Sequence, residues 1–410
     1  MLSANVINKI VVMISNMVIT RILTRSDFGM WGYILNIYSY ASLIAGLGLD
    51  SGAFQFGAEN KGKGEAYRYY KYCLNIGLII NIVIIAVFYF YIHITELVIE
   101  NSGLYIKIYL PVLIIEYLIN IFSIMLRCSN RIKTYAKITN INTVLIAVAT
   151  CVGACWGVPG VIGGKYCARV LSLASIICVM RQDLKNLLTA SMLELKQITE
   201  LWNYTIFTGV SSAFNRSLYL IDVTMIAQLI RNTEEIAIYK VSTMIPHALM
   251  FIPSSIIMCF LPDIVGHNRE KRWLKSNVKK LYFFSGMVNF SIAFILFIFS
   301  KVIILLISGD QYIEAVGLFR IHLVGFFLTG TFRDLSVNIL AGLKKVHYNL
   351  FISAIQIVSE VVFNYLLIIK FGMYGAAYAT VLVEIIAAAM ATFYLHLSIT
   401  KMQDTSFAEP

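Results

Sequence analysis

Charge is what this sequence has least of. Asp, Glu, Lys and Arg make up 13% of its 410 residues, against about a quarter in a soluble domain. That excludes an ordinary soluble chain. Its seven cysteines lie mostly within apolar runs and form no CxxC pair, which excludes a disulfide framework and reads as small core residues. The six histidines are scattered, with no HExxH motif or ligand cluster, so no metal is expected. The stretch Pro159-Gly160-Val161-Ile162-Gly163-Gly164-Lys165-Tyr166 lacks the first Gly and the final Ser/Thr of a phosphate-cradling loop, and no ATP motor is encoded. Between the apolar runs on one side there is no stretch long enough for a soluble catalytic domain, which argues against an enzyme. The first run has no A-x-A-like end and continues into further runs. It reads as the first span, not a cleaved signal.

What remains is hydrophobic: 59% of the chain. About 20 helical residues cross a hydrocarbon core of about 30 Å, and twelve runs of that size are expected, near 4–23, 29–54, 72–95, 104–126, 137–156, 160–180, 203–229, 236–261, 281–306, 313–338, 347–369 and 374–398. The fold class is therefore an all-α integral membrane protein. Its net charge of +11 is explained by loops and calls for no nucleic acid, since cytoplasmic loops collect Lys and Arg. Arg127, Arg131, Lys133 and Lys137 form one such loop, and Lys271, Arg272, Lys275, Lys279 and Lys280 another. The alternate loops, with Glu96 and Glu100 or Glu234 and Glu235, are acidic. Both termini are then expected inside, although Arg21 and Arg25 after the first span run against this.

The chain also repeats. Ser26-Asp27-Phe28-Gly29-Met30-Trp31 echoes Glu234-Glu235-Ile236-Ala237-Ile238-Tyr239, and Trp156-Gly157-Val158-Pro159-Gly160-Val161 echoes Phe371-Gly372-Met373-Tyr374-Gly375-Ala376, at nearly the same separation. Two parallel six-helix repeats follow, an even number of spans per repeat keeping them parallel. The expected division is a lobe at 1–180, a cytoplasmic linker at 181–200, a second lobe at 201–400 and a tail at 401–410. Leu188, Met192, Leu195 and Ile198 recur at helical spacing in the linker, as on a surface helix with one apolar face.

The span opening the second half is polar where it should not be. Thr208, Ser211, Ser212, Asn215, Tyr219 and Asp222 fall on one helix face, with Arg216 beside them. A charge at mid-bilayer costs about 2.5–3.5 kcal/mol even on lenient scales, so the stripe faces protein or water. Arg216, Arg169, Arg320 and Asn215 are the candidates for a cationic substrate cavity, since guanidinium groups pair with phosphate through bidentate hydrogen bonds. Asp222, Glu360 and Glu384 are candidates for coupling to a proton or sodium gradient, no other cofactor being expected. Arg169 and Glu384 occupy equivalent positions of the repeat and could neutralise each other, as could Arg333 and Asp334. Pro246 and Pro253 are expected to kink the eighth span.

Thr20-Arg21-Ile22-Leu23-Thr24-Arg25-Ser26-Asp27-Phe28-Gly29, with Gly46-Leu47-Gly48-Leu49-Asp50-Ser51 and Glu235-Ile236-Ala237-Ile238-Tyr239, resembles the polysaccharide-biosynthesis flippases (Wzx-type) of the multidrug/oligosaccharidyl-lipid/polysaccharide exporter superfamily. The resemblance covers the whole chain and departs at Gln55 and Ala237. It implies alternating access between two lobes and translocation of an undecaprenyl-pyrophosphate-linked repeat unit across the bacterial inner membrane. Membrane lipids, a polymerase and a chain-length regulator are the implied partners. A multidrug cation exporter of the same superfamily, a lipid II flippase, and a polymerase or acyltransferase acting on lipid-linked sugars are the alternatives.

Overall fold

The computed structural model describes residues 2–60, 64–95, 97–268 and 270–402, without the side chains of 2–6, 211 and 215. Lys61, Lys63, Glu96, Arg269 and the tail 403–410 lie outside the described residues. The chain divides into two compact units, Met1–Leu220 and Ile221–Pro410.

The first unit holds α1 (Leu2–Ile22), α2 (Arg25–Ala45), α3 (Leu49–Glu59), α4 (Ala66–Ile94), α5 (Ser102–Tyr109), α6 (Val112–Cys128), α7 (Ile132–Ala154), α8 (Gly157–Val179), α9 (Arg181–Thr189) and most of α10 (Leu195–Ile230). The second holds α11 (Thr233–Leu249), α12 (Phe251–Gly266), α13 (Lys271–Ile298), α14 (Ser300–Ser308), α15 (Ala315–Leu328), α16 (Asp334–Gly342), α17 (Val346–Phe371) and α18 (Met373–Thr400). Among the described residues nine segments are long and apolar enough to cross a membrane, ten if the bent pair α2–α3 is one span. The all-α, multi-pass class stands. Of the twelve expected spans, α1 and α10 fall short of that length-and-composition test, and α10 is the helix that carries Arg216 and Asp222.

Breaks in the spans follow their sequence. The α2–α3 pair bends by 44° across Gly46-Leu47-Gly48, where Gly48 takes φ 80°. A Cβ there would stand 2.0 Å from the Thr205 carbonyl oxygen, and one on Gly209 would stand 2.8 Å from the backbone of Leu47 and Gly48 in the same elbow. Only glycines let this elbow seat on α10. Gly48→Ala should therefore destabilise twice, by about 1 kcal/mol for the left-handed backbone and further because main chain must part from main chain. The check is thermal unfolding in detergent, with Gly163→Ala, whose Cβ meets nothing within 4 Å, expected to leave the midpoint unchanged. In the second unit the eighth span breaks at Met250, between α11 and α12. Pro253 has no N–H to give the Leu249 carbonyl, so the expected kink falls there.

The first unit's core knits α3, α4 and α6 through Tyr69, Tyr70, Cys73, Tyr117 and Ile121, and draws in Leu187, Leu193 and Leu201. In the linker, α9 ends at Thr189 and α10 begins at Leu195. Leu187, Leu193 and the partly buried Ile198 face the core, whereas Leu188, Met192 and Leu195 are the exposed ones. Arg68 donates to the Met192 carbonyl and Lys71 to those of Leu188 and Ala190. Those two cations answer the carbonyls that an unbroken helix would have used.

Candidate functional site

Within the first unit, α2, α3, α6, α7, α8 and α10 enclose a cavity of about 370 Å³ lined by Asp50, Glu116, Asn120, Asn142, Arg169 and Arg216 among others. Arg169 on α8 meets Glu116 on α6 at 2.6 Å, both partly buried. Asn120, one turn past Glu116, donates to Asp50 at 3.0 Å. A second cavity of about 300 Å³, lined by Ser15, Asn16, Trp31, Thr150 and Lys165, shares Thr143, Ile146 and Arg169 with the first. Arg169 thus stands in the wall between them.

Lys165 lies one turn before Arg169 on α8. Its ammonium sits 5.4 Å from the Trp31 ring centre and 5.2 Å from that of Tyr109. Ring faces stabilise such a cation by about 0.5–2 kcal/mol without cancelling its charge. Among the described residues Lys165 makes no ion pair, and neither does Arg216. The two cavities therefore present three cations to two carboxylates. Asp50 and Glu116 give the lining mixed sign.

The second unit carries a different site. Asp222 on α10 is buried and accepts from Tyr239 Oη at 2.6 Å, Thr380 Oγ1 at 3.0 Å and Asn364 Nδ2 at 2.9 Å. Asn364 also donates to Glu360 Oε1 at 3.1 Å, one turn earlier on α17. One amide nitrogen therefore bridges two buried carboxyl groups. Two carboxyl groups held this close in a buried site repel each other when both carry charge.

The expected site residues separate accordingly. Arg169 and Arg216 share one cavity. Arg320 belongs to the other unit, where Nε donates to Ser300 Oγ at 2.8 Å and the guanidinium lies over Phe297 at 5.0 Å. The side chain of Asn215 lies outside the described residues. Asp222 and Glu360 come together, and Glu384 stands 3.7 Å from Arg333, which also meets Asp334 at 3.6 Å. The expected Arg169–Glu384 pairing is replaced by Arg169–Glu116 and Arg333–Glu384, each within its own unit. The face drawn on α10 is also redistributed: Thr205, not Thr208, is buried, Tyr219 is exposed and Asp222 is enclosed. Neither Lys165 nor Asn364 was among the expected site residues. Their spacing to Arg169 and Glu360, one turn in each case, was the available signal.

The helical fold is one shared with solved transporters of the multidrug/oligosaccharidyl-lipid/polysaccharide exporter superfamily. A lipid II flippase, MurJ, in an inward closed conformation superposes with TM-score 0.77 at 14% identity, covering 97% of this chain and 88% of that one. An inward-facing multidrug resistance MATE family transporter of the superfamily gives 0.67 at 14% identity, over 97% and 96%. A superfamily transporter from Pyrococcus furiosus, described by the reverse polarity of its binding pocket, gives 0.62 at 14% identity, over 98% and 94%. Residues 1–265 match the model of the polysaccharide biosynthesis protein family. The chain belongs to that family. An uncharacterized membrane protein of Methanocaldococcus jannaschii is 33% identical over 112 residues, 27% of this chain and 22% of that protein. The match spans about a fifth of that relative's length.

Proposed function

We propose that this protein carries a polyprenyl-pyrophosphate-linked oligosaccharide, an O-antigen or capsule repeat unit, from the cytoplasmic to the periplasmic leaflet of a bacterial inner membrane. The observation that carries the reading is the set of intramembrane cations in the first unit, Arg169, Lys165 and Arg216, around two adjoining cavities. Such groups suit a diphosphate, whose transfer out of water is costly unless paired. The sugars would occupy the amide- and hydroxyl-rich wall around Asn120, Asn142 and Thr143, while the lipid tail stays in the bilayer. Alternating access, both termini in the cytoplasm and no covalent chemistry complete the reading, which the family and its lipid II flippase fold neighbour support. Coupling would run through the Asp222–Glu360 pair, taking a proton or sodium ion.

The test is gene deletion followed by assay of surface polysaccharide and of the sidedness of the lipid-linked unit. The unit is expected to accumulate on the cytoplasmic leaflet until the gene is restored. Units that reach the outer face unpolymerised would instead make the protein an enzyme acting after translocation. Arg216→Ala is expected to lose surface polysaccharide at normal protein levels, and unchanged polymer would remove Arg216 from the mechanism. Asp50 and Glu116 in the same cavity favour a second reading, export of organic cations. Drug susceptibility of an overexpressing strain separates the two: raised tolerance with intact polysaccharide in the deletion strain supports the exporter.

A further inference from the structure

The cytoplasmic half of α17 carries more buried polarity than the Asp222–Glu360 site requires. Asn349, Ser353, Gln356, Glu360 and Asn364 follow one another at intervals of three or four residues, and the last four are all buried. They form one row about 22 Å long at 1.5 Å per residue. The row starts beside the basic turn Lys344-Lys345 and ends on Asp222. The neighbouring wall of α18 is built largely of small side chains, with Ala387, Ala388 and Ala391 buried.

Packing alone does not account for this row. Among the described residues, both the Nε2 and the Oε1 of Gln356 are enclosed without a hydrogen-bond partner, as are Asn349 Oδ1, Asn364 Oδ1 and Glu384 Oε2. An unpaired buried polar atom costs about 1–3 kcal/mol, and a Gln leaving both ends unpaired is hard to retain on a helix face where Leu would pack. Buried polar groups of this kind are ordinarily satisfied by internal water. Where the row passes α16 and α18 it also meets charge. Glu384 is joined to Arg333, and Arg333 to Asp334, at the π-helical turn Thr329–Arg333 that interrupts the tenth span. Such single turns are frequent at functional sites.

We propose that this row is a hydrated path inside the second unit, by which a proton or small monovalent cation passes between the Asp222–Glu360 pair and the cytoplasmic end of α17. The inference rests on the coupling role given above to that pair. Gln356 and Ser353 supply the polar surface of the path, and beside it the positive charge of Arg333 is offset by Glu384 and Asp334, so it does not repel a passing cation. Tyr239 and Thr380 close the far end by holding Asp222.

Accessibility to water is the direct measurement. Single cysteines at Ser353, Gln356, Val358 and Lys344 would be introduced into the full chain with its seven native cysteines replaced, then exposed to a charged, membrane-impermeant methanethiosulfonate from either side. Only a thiol that can ionise in water reacts quickly. Gln356→Cys and Ser353→Cys are expected to react from the same side as Lys344→Cys and much faster than Val358→Cys, which lies on the exposed face of α17. Reaction as slow as that of Val358→Cys, with Lys344→Cys labelled, would overturn the path. Gln356→Leu, which fills the row with an apolar side chain, is expected to slow gradient-driven transport severalfold while leaving binding of the lipid-linked sugar unchanged; undiminished transport would equally overturn it. The coupling reading fails separately: if transport ignores both gradients in the parent protein, no ion path is needed, even should the cysteines label.

Discussion

Asp222→Ala is expected to abolish gradient-driven transport and to lower the thermal midpoint sharply. Three donors converge on this carboxylate, Tyr239 Oη, Thr380 Oγ1 and Asn364 Nδ2; Thr380 and Asn364 keep acceptors in the Ala376 carbonyl and Glu360, whereas the buried Tyr239 hydroxyl loses its short one at about 1–3 kcal/mol. That cost, with the space the carboxylate vacates, is a sizeable share of the 5–15 kcal/mol that holds a domain folded, so the alanine variant by itself could not separate structure from coupling. Asp222→Asn can. It keeps the volume and one acceptor oxygen, and removes the carboxylate to which the proposed coupling assigns the ion. Its expected signature is a protein of near-normal yield whose transport no longer responds to the proton or sodium gradient, measured in vesicles with each gradient imposed in turn. Transport that still follows the same gradient would remove Asp222 from coupling and leave it as the hub of a hydrogen-bond network.

Much of this fold was legible because lipid leaves a segment few choices. A run of about 20 apolar residues must be helical, since every backbone polar group has to be satisfied within the span. The bend at Gly46-Leu47-Gly48 and the break at Met250 follow from Gly and Pro, which act locally. What stayed hidden depends on neighbours far apart in the chain. Equivalence within the repeat suggested Arg169 with Glu384, but equivalent residues occupy the same place in two units and need not touch. Each found its partner on an adjacent helix of its own unit. In the linker, Arg68 and Lys71 satisfy carbonyls of residues 188–192 and let the helix stop, a contact that periodicity does not reveal. Lys165 was not among the expected site residues. Its ring partners come from α2 and α5, which no local pattern reveals.

The Arg169–Glu116 pair decides whether the cavity of the first unit binds substrate or only holds two helices together. At 2.6 Å and roughly a quarter exposed on each side, the pair ties α8 to α6, and removing either partner strands a partly buried charge. Arg169→Ala and Glu116→Ala are therefore both expected to reduce yield and transport, and neither result discriminates. The exchanged pair, Arg169→Glu with Glu116→Arg, restores one cation and one carboxylate across the same gap and should recover most of the thermal midpoint. It also moves the guanidinium from α8 to α6, off the wall shared by the two cavities and away from Lys165, one turn before it. If a diphosphate is gripped by Lys165 and Arg169 together, the exchanged protein folds yet fails to restore surface polysaccharide. Its binding of pyrophosphate-linked sugar should fall at least as far as that of Arg169→Ala, because a carboxylate now faces the phosphates beside Lys165. Restored polysaccharide would make the pair a strut between helices and leave Lys165 and Arg216 to recognise the anion.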